Sequence, residues 1–507
     1  MKRARWAMRW IGATAGLAMA AALPAGTGFA SAAGRSGPVV RLIAAQHSIT
    51  VQRFGKQVFV DPGVYITAFG APLEFDVRRA GYGKPITISQ VLPRQGGGTM
   101  RRPLPAWVIE SWNGLRRFLR ITIRNTSGKI VGSSVLPFCP DAASPQRATP
   151  DSPPNSPFPV GCGTNPFEKG MVWGLQRGWG ADPVGSGVII VGGGPGPVPA
   201  YNLRPGRYVA TVQITKLWQR LLNVPSSGAV ATVRIRVVKG HGCTDICPPG
   251  TRRPAVRRQL ARLPAVPTMA NPPASALPDL VALPSWGIGV QNNKPTEKHP
   301  LASYLSFGAT VWIGGHAPFD VEGFRSHGSP VMKAYQYFWL NGRVIGRARA
   351  GTMGFGSKWG HGGYHWHFAQ WARFRLLNAR KSVVMRSQKV GFCIAPTDAI
   401  DLLLPHATWQ PSETGPGGAC GSPNALWVQE MLPLGWGDTY ECIGGQAFDI
   451  GNLPNGTYYI EVIANPEHVI HESDYANDVS LREVILGGTP GHRTVRVPAY
   501  HGIDPER

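Results

Sequence analysis

Glycine and proline interrupt this chain so often that long helices are not expected. Its 507 residues include 64 glycines and 47 prolines, and both residue types weaken or end a helix. Between them lie short β-branched and aromatic runs bounded by turn residues, such as "RYVATVQITKLW", "ATVRIRVV" and "YYIEVIA". The chain is therefore predicted to be mainly β, with two related β-sandwich-like domains and long irregular loops.

The first 32 residues have the composition of a secretory signal. A basic start, "MKRARWAMRW", precedes a short apolar run and the small residues Ala30, Ser31 and Ala32, after which cleavage is expected. Because no later stretch is apolar enough to span a bilayer, we predict a secreted, extracellular protein without a membrane span. Seven cysteines in an exported chain indicate disulfides with one cysteine left over.

The formal net charge of +24 predicts acidic partners, such as an acidic polymer or a cell surface. No nucleic-acid recognition motif accompanies this charge, so nucleic acid is not a predicted partner. Charge by itself therefore indicates a kind of partner and no chemistry.

Four sequence matches recur in the same order along the chain. "NLRPGRYVATVQI" (202–214) aligns without a gap with "NLPNGTYYIEVIA" (452–464), and "RGWGADP" (177–183) aligns with "LGWGDTY" (434–440). Likewise, "SVLPFCPD" (134–141) and "APLEFDV" (71–77) match "QKVGFCIA" (388–395) and "APFDV" (317–321). Glycine, turn and strand units recur in any β-protein, but four ordered matches favour two related domains.

The matches divide the chain into a signal (1–32), a first copy (33–241), a basic Pro-rich linker (242–275), a second copy (276–487) and a tail (488–507). In the linker, Cys243 and Cys247 are spaced to close a small local disulfide. An anchor on Phe118 and Phe374 for the histidines, and the motif matches for the other two, set four reactive residues of the second copy opposite unreactive ones. The pairs are His365 with Ile109, His367 with Ser111, Lys389 with Val135, and Tyr440 with Pro183. Any chemistry is therefore predicted to lie in the second copy.

The segment "KWGHGGYHWHFAQWARF" (358–374) holds three histidines. In a strand His365 and His367 share one face, close enough to chelate one ion. His361 shares that face, but Cα atoms six residues apart lie about 20 Å apart in a strand, so it reaches the ion only if the chain bends at Gly362 and Gly363. Three imidazoles suit Cu(II) or Zn(II), while a polar strand face is the alternative.

The second copy resembles the lysyl oxidase family over about residues 276 to 485. That family carries a His-rich copper segment, an "FC" motif, a "DTY" motif and a strand ending in "ESD-x-x-N". Here "YHWHFAQWARFRLL", "QKVGFC", "GWGDTY" and "NLPNGTYYIEVIANPEHVIHESDYANDV" follow in that order. The resemblance implies a copper-dependent amine oxidase that uses dioxygen to convert primary amines to aldehydes, with release of hydrogen peroxide and ammonia. Peptidyl lysine and small primary amines are both open as substrates.

The resemblance also implies the cofactor residues. In the family a lysine just before "FC" and the tyrosine of "DTY" cross-link to form lysine tyrosylquinone, and by position these are Lys389 and Tyr440. The first of the family's three alternating histidines falls here on Gly363, so His361 is the expected substitute beside His365 and His367. For Asp438 we favour a role in holding its loop by hydrogen bonds over a role as catalytic base.

A second metal site is suggested by "HESDYANDV", in which Glu472, Asp474, Asn477 and Asp478 offer the hard oxygen donors that calcium prefers. In related enzymes the equivalent stretch binds calcium together with a "DL" pair, here Asp279 and the carbonyl of Leu280. The alternative is an acidic turn at the end of a β-ladder.

The repeat predicts two disulfides, Cys139–Cys162 and Cys393–Cys420. Cys442 would then be the odd cysteine, although a different pairing in the second copy stays open because Cys442 lies so near Tyr440. Two other functions also stay open: a non-catalytic secreted metal-binding β-sandwich protein, and a basic adhesin or polymer-binding protein.

Overall fold

The computed structural model describes residues 37–94, 96–109, 111–141, 145–159, 161–184, 198–239, 266–292, 302–325, 329–356, 365–411, 420–421, 425, 427–441 and 446–506. Strands dominate these residues, which confirms the mainly β prediction. No helix among them is long and apolar enough to cross a membrane.

The strands of the first half are β1 (Val39–Ala44), β2 (Ser48–Phe54), β3 (Gln57–Phe59), β4 (Val64–Phe69), β5 (Leu73–Arg79), β6 (Ile86–Pro93), β7 (Thr99–Leu104), β8 (Leu115–Asn125), β9 (Ile130–Phe138), β10 (Gln146–Arg147), β11 (Gly170–Leu175), β12 (Trp179–Ala181), β13 (Ala200–Tyr201), β14 (Gly206–Ile214) and β15 (Val230–Lys239). Helical turns cover Ala106–Val108, α1 (Lys216–Leu221) and Ser226–Gly228.

The second half begins with a helical turn at Ala274–Ala276. Its strands are β16 (Pro278–Ala282), β17 (Trp286–Asn292), β18 (Ser303–Gly315), β19 (Phe319–Phe324), β20 (Val331–Leu340), β21 (Arg343–Phe355), β22 (Trp366–Phe368), β23 (Ala372–Asn378), β24 (Val383–Arg386), β25 (Asp398–Ala399), β26 (Trp427–Leu432), β27 (Trp436–Glu441), β28 (Phe448–Asp449), β29 (Gly456–Ala464), β30 (Val479–Thr489) and β31 (His492–Arg496).

The strands of the two halves pair into sheets whose strand orders correspond. In the first half the orders are β1-β4-β12-β10, β11-β5-β6-β7 and β13-β3-β2-β15-β14-β8-β9. In the second half they are β16-β18-β27-β25, β26-β19-β20-β21-β22 and β24-β23-β29-β30-β31, with β17 and β28 also pairing with β18. Strands carrying the matched sequences occupy equivalent places in the two halves, and a division into two related domains stays a prediction.

Alternating burial explains how these strands form sheets with a filled interior. In β14 the buried residues are Ala210, Val212 and Ile214, and those between them are only partly buried. This period of two puts every second side chain on the inner face of the sheet. The inner faces of the sheets together enclose one large apolar cluster that draws residues from both halves.

The two halves meet where residues 164–170 lie against the second half. The amides of Lys169 and Gly170 donate to the carbonyl of Ile400 at 2.7 and 3.1 Å, and the Leu402 amide donates to the Gly170 carbonyl at 2.7 Å. Phe167 is buried in a small cluster with residues of the second half, namely Leu283, Trp312 and Ile400. Backbone pairing and apolar burial thus join the halves at this segment.

The segments that we assigned to the linker and the tail are described in part, and both are packed. The Met269 amide donates to the Arg347 carbonyl at 2.9 Å. In the tail, β31 pairs with β30, and the buried Arg493 guanidinium donates to the Gly451 carbonyl at 3.0 Å.

Candidate active site

Tyr440 lies near the end of β27, where its cross-strand neighbour on β18 is Ala309. Its side chain is buried, with 9% of the residue exposed. The hydroxyl donates to the carbonyl of Cys393 and accepts from the amide of the same residue, both at 2.8 Å. These two bonds fix the ring of the "DTY" tyrosine against the "FC" segment.

Lys389 lies directly over that ring. Its Nζ is 4.1 Å from the centroid of the Tyr440 ring and 4.7 Å from that of Phe392. The ammonium group also donates to the carbonyl of Gly391 at 3.2 Å, and only 4% of the residue is exposed. The fold thus brings the two predicted cofactor residues into contact, in a place with little access to water.

Burial changes the protonation of this lysine. Desolvation lowers the pKa of Lys389 to about 8, although the nearby Asp438 carboxylate favours the charged form. At pH 7 about one lysine in ten would then carry a neutral amine, compared with about three in ten thousand at the ordinary pKa. A neutral amine is the form that acts as a nucleophile.

Two buried carboxyl groups lie behind the tyrosine. Oε2 of Glu430 accepts from the Ile394 amide at 3.0 Å, and Oδ1 of Asp438 accepts from the Ala395 amide at 3.4 Å. Burial raises the pKa of both groups well above the usual range. These bonds to the chain just after the "FC" motif support the positioning role that we favoured for Asp438.

Glu430 is a site residue that the sequence did not reveal. It lies on β26, where Gln429 and Glu430 face opposite sides and each side also carries two apolar residues, so the local pattern does not show which of the two is buried. The structure instead buries it against Tyr440, and its charge contributes to the raised pKa of that hydroxyl.

His365 and His367 lie together at β22. Their ring centroids are 4.5 Å apart, and Nδ1 of the buried His367 has no hydrogen-bond partner among the described residues. Burial lowers the pKa of both imidazoles, to about 4 for His367, and the charge of Lys389 adds to this effect. Both rings are therefore neutral at pH 7, which is the state that binds metals.

His361, the expected third ligand, lies outside the described residues. In the described part of the chain, no three side chains of His, Cys, Asp or Glu gather closely enough to hold a metal ion. The pair of imidazoles with an unpartnered buried nitrogen nevertheless fits a copper or zinc ligand set that a third group completes.

Backbone bonds and a disulfide hold the histidine strand to the lysine and tyrosine. Phe368 and Phe392 exchange amide-to-carbonyl bonds of 2.8 and 3.0 Å, and the Trp366 amide donates to the Cys420 carbonyl at 2.9 Å. Cys420 is in turn linked to Cys393. This disulfide and Cys139–Cys162 are both confirmed, whereas Cys243, Cys247 and Cys442 lie outside the described residues.

The predicted calcium ligands also lie near one another. The Asn477 amide group donates to both oxygens of Asp279, at 3.0 and 3.2 Å, and the Leu280 amide donates to Oε2 of Glu472 at 2.9 Å. Asp474 lies at the surface, where its Oδ1 accepts from the Ala476 amide at 2.8 Å.

Several oxygens of this second cluster are buried without a partner. They are Oδ1 of Asn477 and both carboxylate oxygens of Asp478, none of which has a hydrogen-bond partner among the described residues. Burial and neighbouring acids raise the pKa of Glu472 to about 8 and that of Asp478 to about 7. Unpartnered buried oxygens and crowded carboxylates are groups that a hard cation binds, but the described carboxylates of this cluster do not gather closely enough here to hold one, so calcium stays a prediction.

Comparison with known proteins places part of this site in a family. Residues 345–492 match the family model described as lysyl oxidase. No curated protein matches the chain. Among solved structures, the "Crystal structure of tetra-tandem repeat in extending region of large adhesion protein" matches at 7% identity. The match covers 89% of this chain and 100% of that one, with a TM-score of 0.10.

The family match contains His365, His367, Lys389, Tyr440 and the acidic cluster of residues 472–478. It confirms the resemblance that the four ordered motifs indicated. A domain of this family supports an amine oxidase type of function in general. Residues 345–492 of this chain are therefore part of a lysyl oxidase family domain.

Proposed function

We propose that this protein is a secreted, copper-dependent amine oxidase whose cofactor, lysine tyrosylquinone, forms from Lys389 and Tyr440. The observation that carries the proposal is the contact of the Lys389 amine with the Tyr440 ring, 4.1 Å from its centroid. Two buried side chains from separate motifs, already in contact, need no rearrangement of the chain before a bond forms between them.

Each neighbouring group has a part in holding this arrangement. The Cys393 backbone orients the tyrosine hydroxyl, and burial keeps a fraction of Lys389 neutral. Asp438 and Glu430 fix the chain that follows the "FC" motif. Because the site is buried, competing water is largely excluded.

Copper would be held by His365 and His367, with His361 as the proposed third ligand. When bound, copper together with dioxygen supplies the oxidising power that converts the tyrosine ring to a quinone. Over one turnover, a primary amine loses two electrons and becomes an aldehyde and ammonia, with water supplying the aldehyde oxygen. Dioxygen accepts the two electrons and two protons as hydrogen peroxide, so the reaction balances.

The remaining features have supporting roles in this proposal. The cluster around Asn477 and Asp478 would bind calcium and stabilise the start of β30. The first half, which lacks the reactive residues, would be a duplicated domain that braces the second half through residues 164–170. Disulfides and an amino-terminal signal suit an extracellular setting.

Turnover of amines by protein produced with copper tests the proposal. We expect peroxide release from a small primary amine or from a lysine-containing peptide, together with trapping of the quinone by phenylhydrazine. Both signals should be lost in Lys389→Arg and Tyr440→Phe and kept in Lys333→Arg, a change at an exposed lysine on β20. Copper-loaded protein that shows neither signal would favour the non-catalytic metal-binding alternative.

A further inference from the structure

The outer face of the large sheet in the first half carries an uninterrupted positive charge. The strands β2, β15, β14, β8 and β9 are consecutive neighbours in this sheet, and their sequences contain no aspartate or glutamate. Arginines project from the exposed positions: Arg120, Arg124, Arg207, Arg234 and Arg236. We call these five residues the basic face.

Strand pairing brings the arginines close together. Arg207 and Arg236 are direct cross-strand neighbours, and Val209 has Arg234 on one side and Arg124 on the other. Neighbouring strands lie about 4.8 Å apart, so Arg124 and Arg234 emerge within about 10 Å of each other. Within the described residues, none of the five forms a salt bridge with an acidic side chain.

Hydroxyl groups fill the positions between the arginines. Thr122, Thr211 and Thr232 form one row across three strands, and Ser48 and Thr50 lie beside Arg234 and Arg236. A depression of about 430 Å³ opens among these last four residues and Arg207. The face therefore combines cations with small donors and acceptors on a flat surface.

The equivalent face of the second half is different. In the gapless alignment Thr211 corresponds to Glu461, whose cross-strand neighbour is Arg375, and these two form an ion pair. Arg373 next to them contacts Glu467 at 3.3 Å. Unbalanced charge is thus a property of the first half's sheet and not of the shared fold.

We propose that the basic face binds an acidic polysaccharide, which would lie extended across the sheet. Arginine pairs with carboxylates and sulfates through two parallel hydrogen bonds, and the Ser and Thr hydroxyls can bond to sugar hydroxyls. The aromatic residue that lines the depression, Tyr208, packs against the core and donates its hydroxyl to the Arg204 carbonyl at 2.9 Å, which disfavours the stacking that nucleic acid uses. The exposed apolar residues of this face, Val209, Val230 and Ile130, are single residues on three different strands, too few to anchor the sheet in a membrane. This inference is independent of the amine oxidase proposal.

Binding to alginate, a polymer of uronic acids, tests the inference, with uncharged dextran as the comparison polymer. The test variant changes Arg124, Arg207, Arg234 and Arg236 to threonine. A matched control removes the same charge from exposed residues of the second half by changing Lys333, Arg343, Arg380 and Arg386 to threonine. Equal melting temperatures would show that both variants fold.

We expect the test variant to lose more than tenfold in affinity for alginate at low salt, and the control to lose less than twofold. Because each cation that neutralises a flexible polyanion contributes about 0.7 to the slope of log Kd against log salt, that slope should fall by about 3 in the test variant. If the fourfold variant does not fold, Arg207→Thr with Arg236→Thr should lower the slope by about 1.4.

Three outcomes would overturn the inference. Equal losses in the test and control variants would mean that net charge alone binds the polymer. Tighter binding of anionic phospholipid vesicles or of duplex DNA than of alginate at equal salt, with the same dependence on the basic face, would mean a different partner. Binding of dextran as tight as that of alginate would mean that charge has no part in recognition.

Discussion

Asn165 of the first half bonds to the strands on either side of β27, which carries Tyr440. Its buried side-chain amide donates to Oγ1 of Thr310 at 2.9 Å and to Oδ2 of Asp398 at 3.4 Å, while its Oδ1 accepts from the Phe167 amide at 3.0 Å. The same Asp398 oxygen accepts from the Thr439 hydroxyl at 2.5 Å. Asn165 is therefore bonded to both strands β18 and β25 beside the proposed cofactor.

Asn165→Ala should destabilise the protein by about 3 kcal/mol. Each neutral hydrogen bond contributes about 1 kcal/mol, and the bond to the buried Asp398 carboxyl contributes about 1.5 kcal/mol or more if that group is ionised. The substitution also leaves the Phe167 amide without its acceptor in a buried place, which adds to the loss.

Urea unfolding followed by tryptophan fluorescence measures this change, because the buried Trp312 lies in the cluster that contains Phe167. Hydrogen exchange in peptides covering β25 and β27 should also become faster in the variant. Asn113→Ala, at an exposed turn of the first half, should change stability by less than about 0.5 kcal/mol. A loss below 0.5 kcal/mol for Asn165→Ala, with exchange unchanged, would refute the idea that the first half braces the site.

Three further outcomes are expected. Burial and the Asp320 charge raise the pKa of Glu322 to about 8, so the native state binds the extra proton between about pH 4.5 and 8. Stability should therefore fall across that window by up to about 5 kcal/mol, and pH-dependent unfolding of Glu322→Gln should lack this fall. Calcium at about 100 times its Kd should stabilise the protein by about 2.7 kcal/mol in thermal unfolding, and Asp478→Asn should abolish the effect; an unchanged melting temperature in the wild type would contradict the site. Replacing Cys139 and Cys162 with serine should cost about 3 kcal/mol in the same assay, since the bridge closes a loop with a sequence separation of 23; a loss below 1 kcal/mol would oppose this.

The sequence was informative where function needs particular residues in particular motifs. Lys389 and Tyr440 were predicted as partners from two motifs, and the structure places them in contact. The two disulfides were predicted from the repeat and are present. The disulfides are thereby confirmed, whereas the contact of Lys389 with Tyr440 agrees with a cross-link that stays a prediction.

Which residues of the first half correspond to the histidines of the second could not be predicted in this way. Phe368 bridges Phe392 in the second half as Leu115 pairs with Phe138 in the first, so Gly114 corresponds to His367 and Ser111 does not. The anchor was three residues off: Val212 and Val462 are equivalent in the repeat and pair with Ile121 and Phe374, so Phe374 corresponds to Ile121 and not to Phe118.

This corrected correspondence gives a physical reason why the first half has no histidine at the position of His367. Gly114 has a φ of +105°, and a Cβ there would lie 2.5 Å from the Phe138 carbonyl oxygen. No imidazole fits at this position without moving the strand. The conclusion that chemistry belongs to the second half is therefore unchanged.

The burial of carboxylate side chains was the other feature that could not be predicted from the sequence. Glu430 and Asp438 lie in the interior and Asp398 is partly buried, although carboxylates are usually exposed. Their burial depends on which strands pair around Tyr440, and that is set by tertiary contacts between distant segments. A pattern of alternating residues cannot distinguish an inward carboxylate from an outward one when both faces of a sheet are covered.

Peptide mass spectrometry of copper-loaded protein tests the central claim most directly. We predict a single peptide species that joins Lys389 to Tyr440, absent from protein produced without copper and absent from Lys389→Ala. Separate, unmodified peptides containing these residues, recovered from protein with bound copper, would contradict the claim that this chain forms the cofactor.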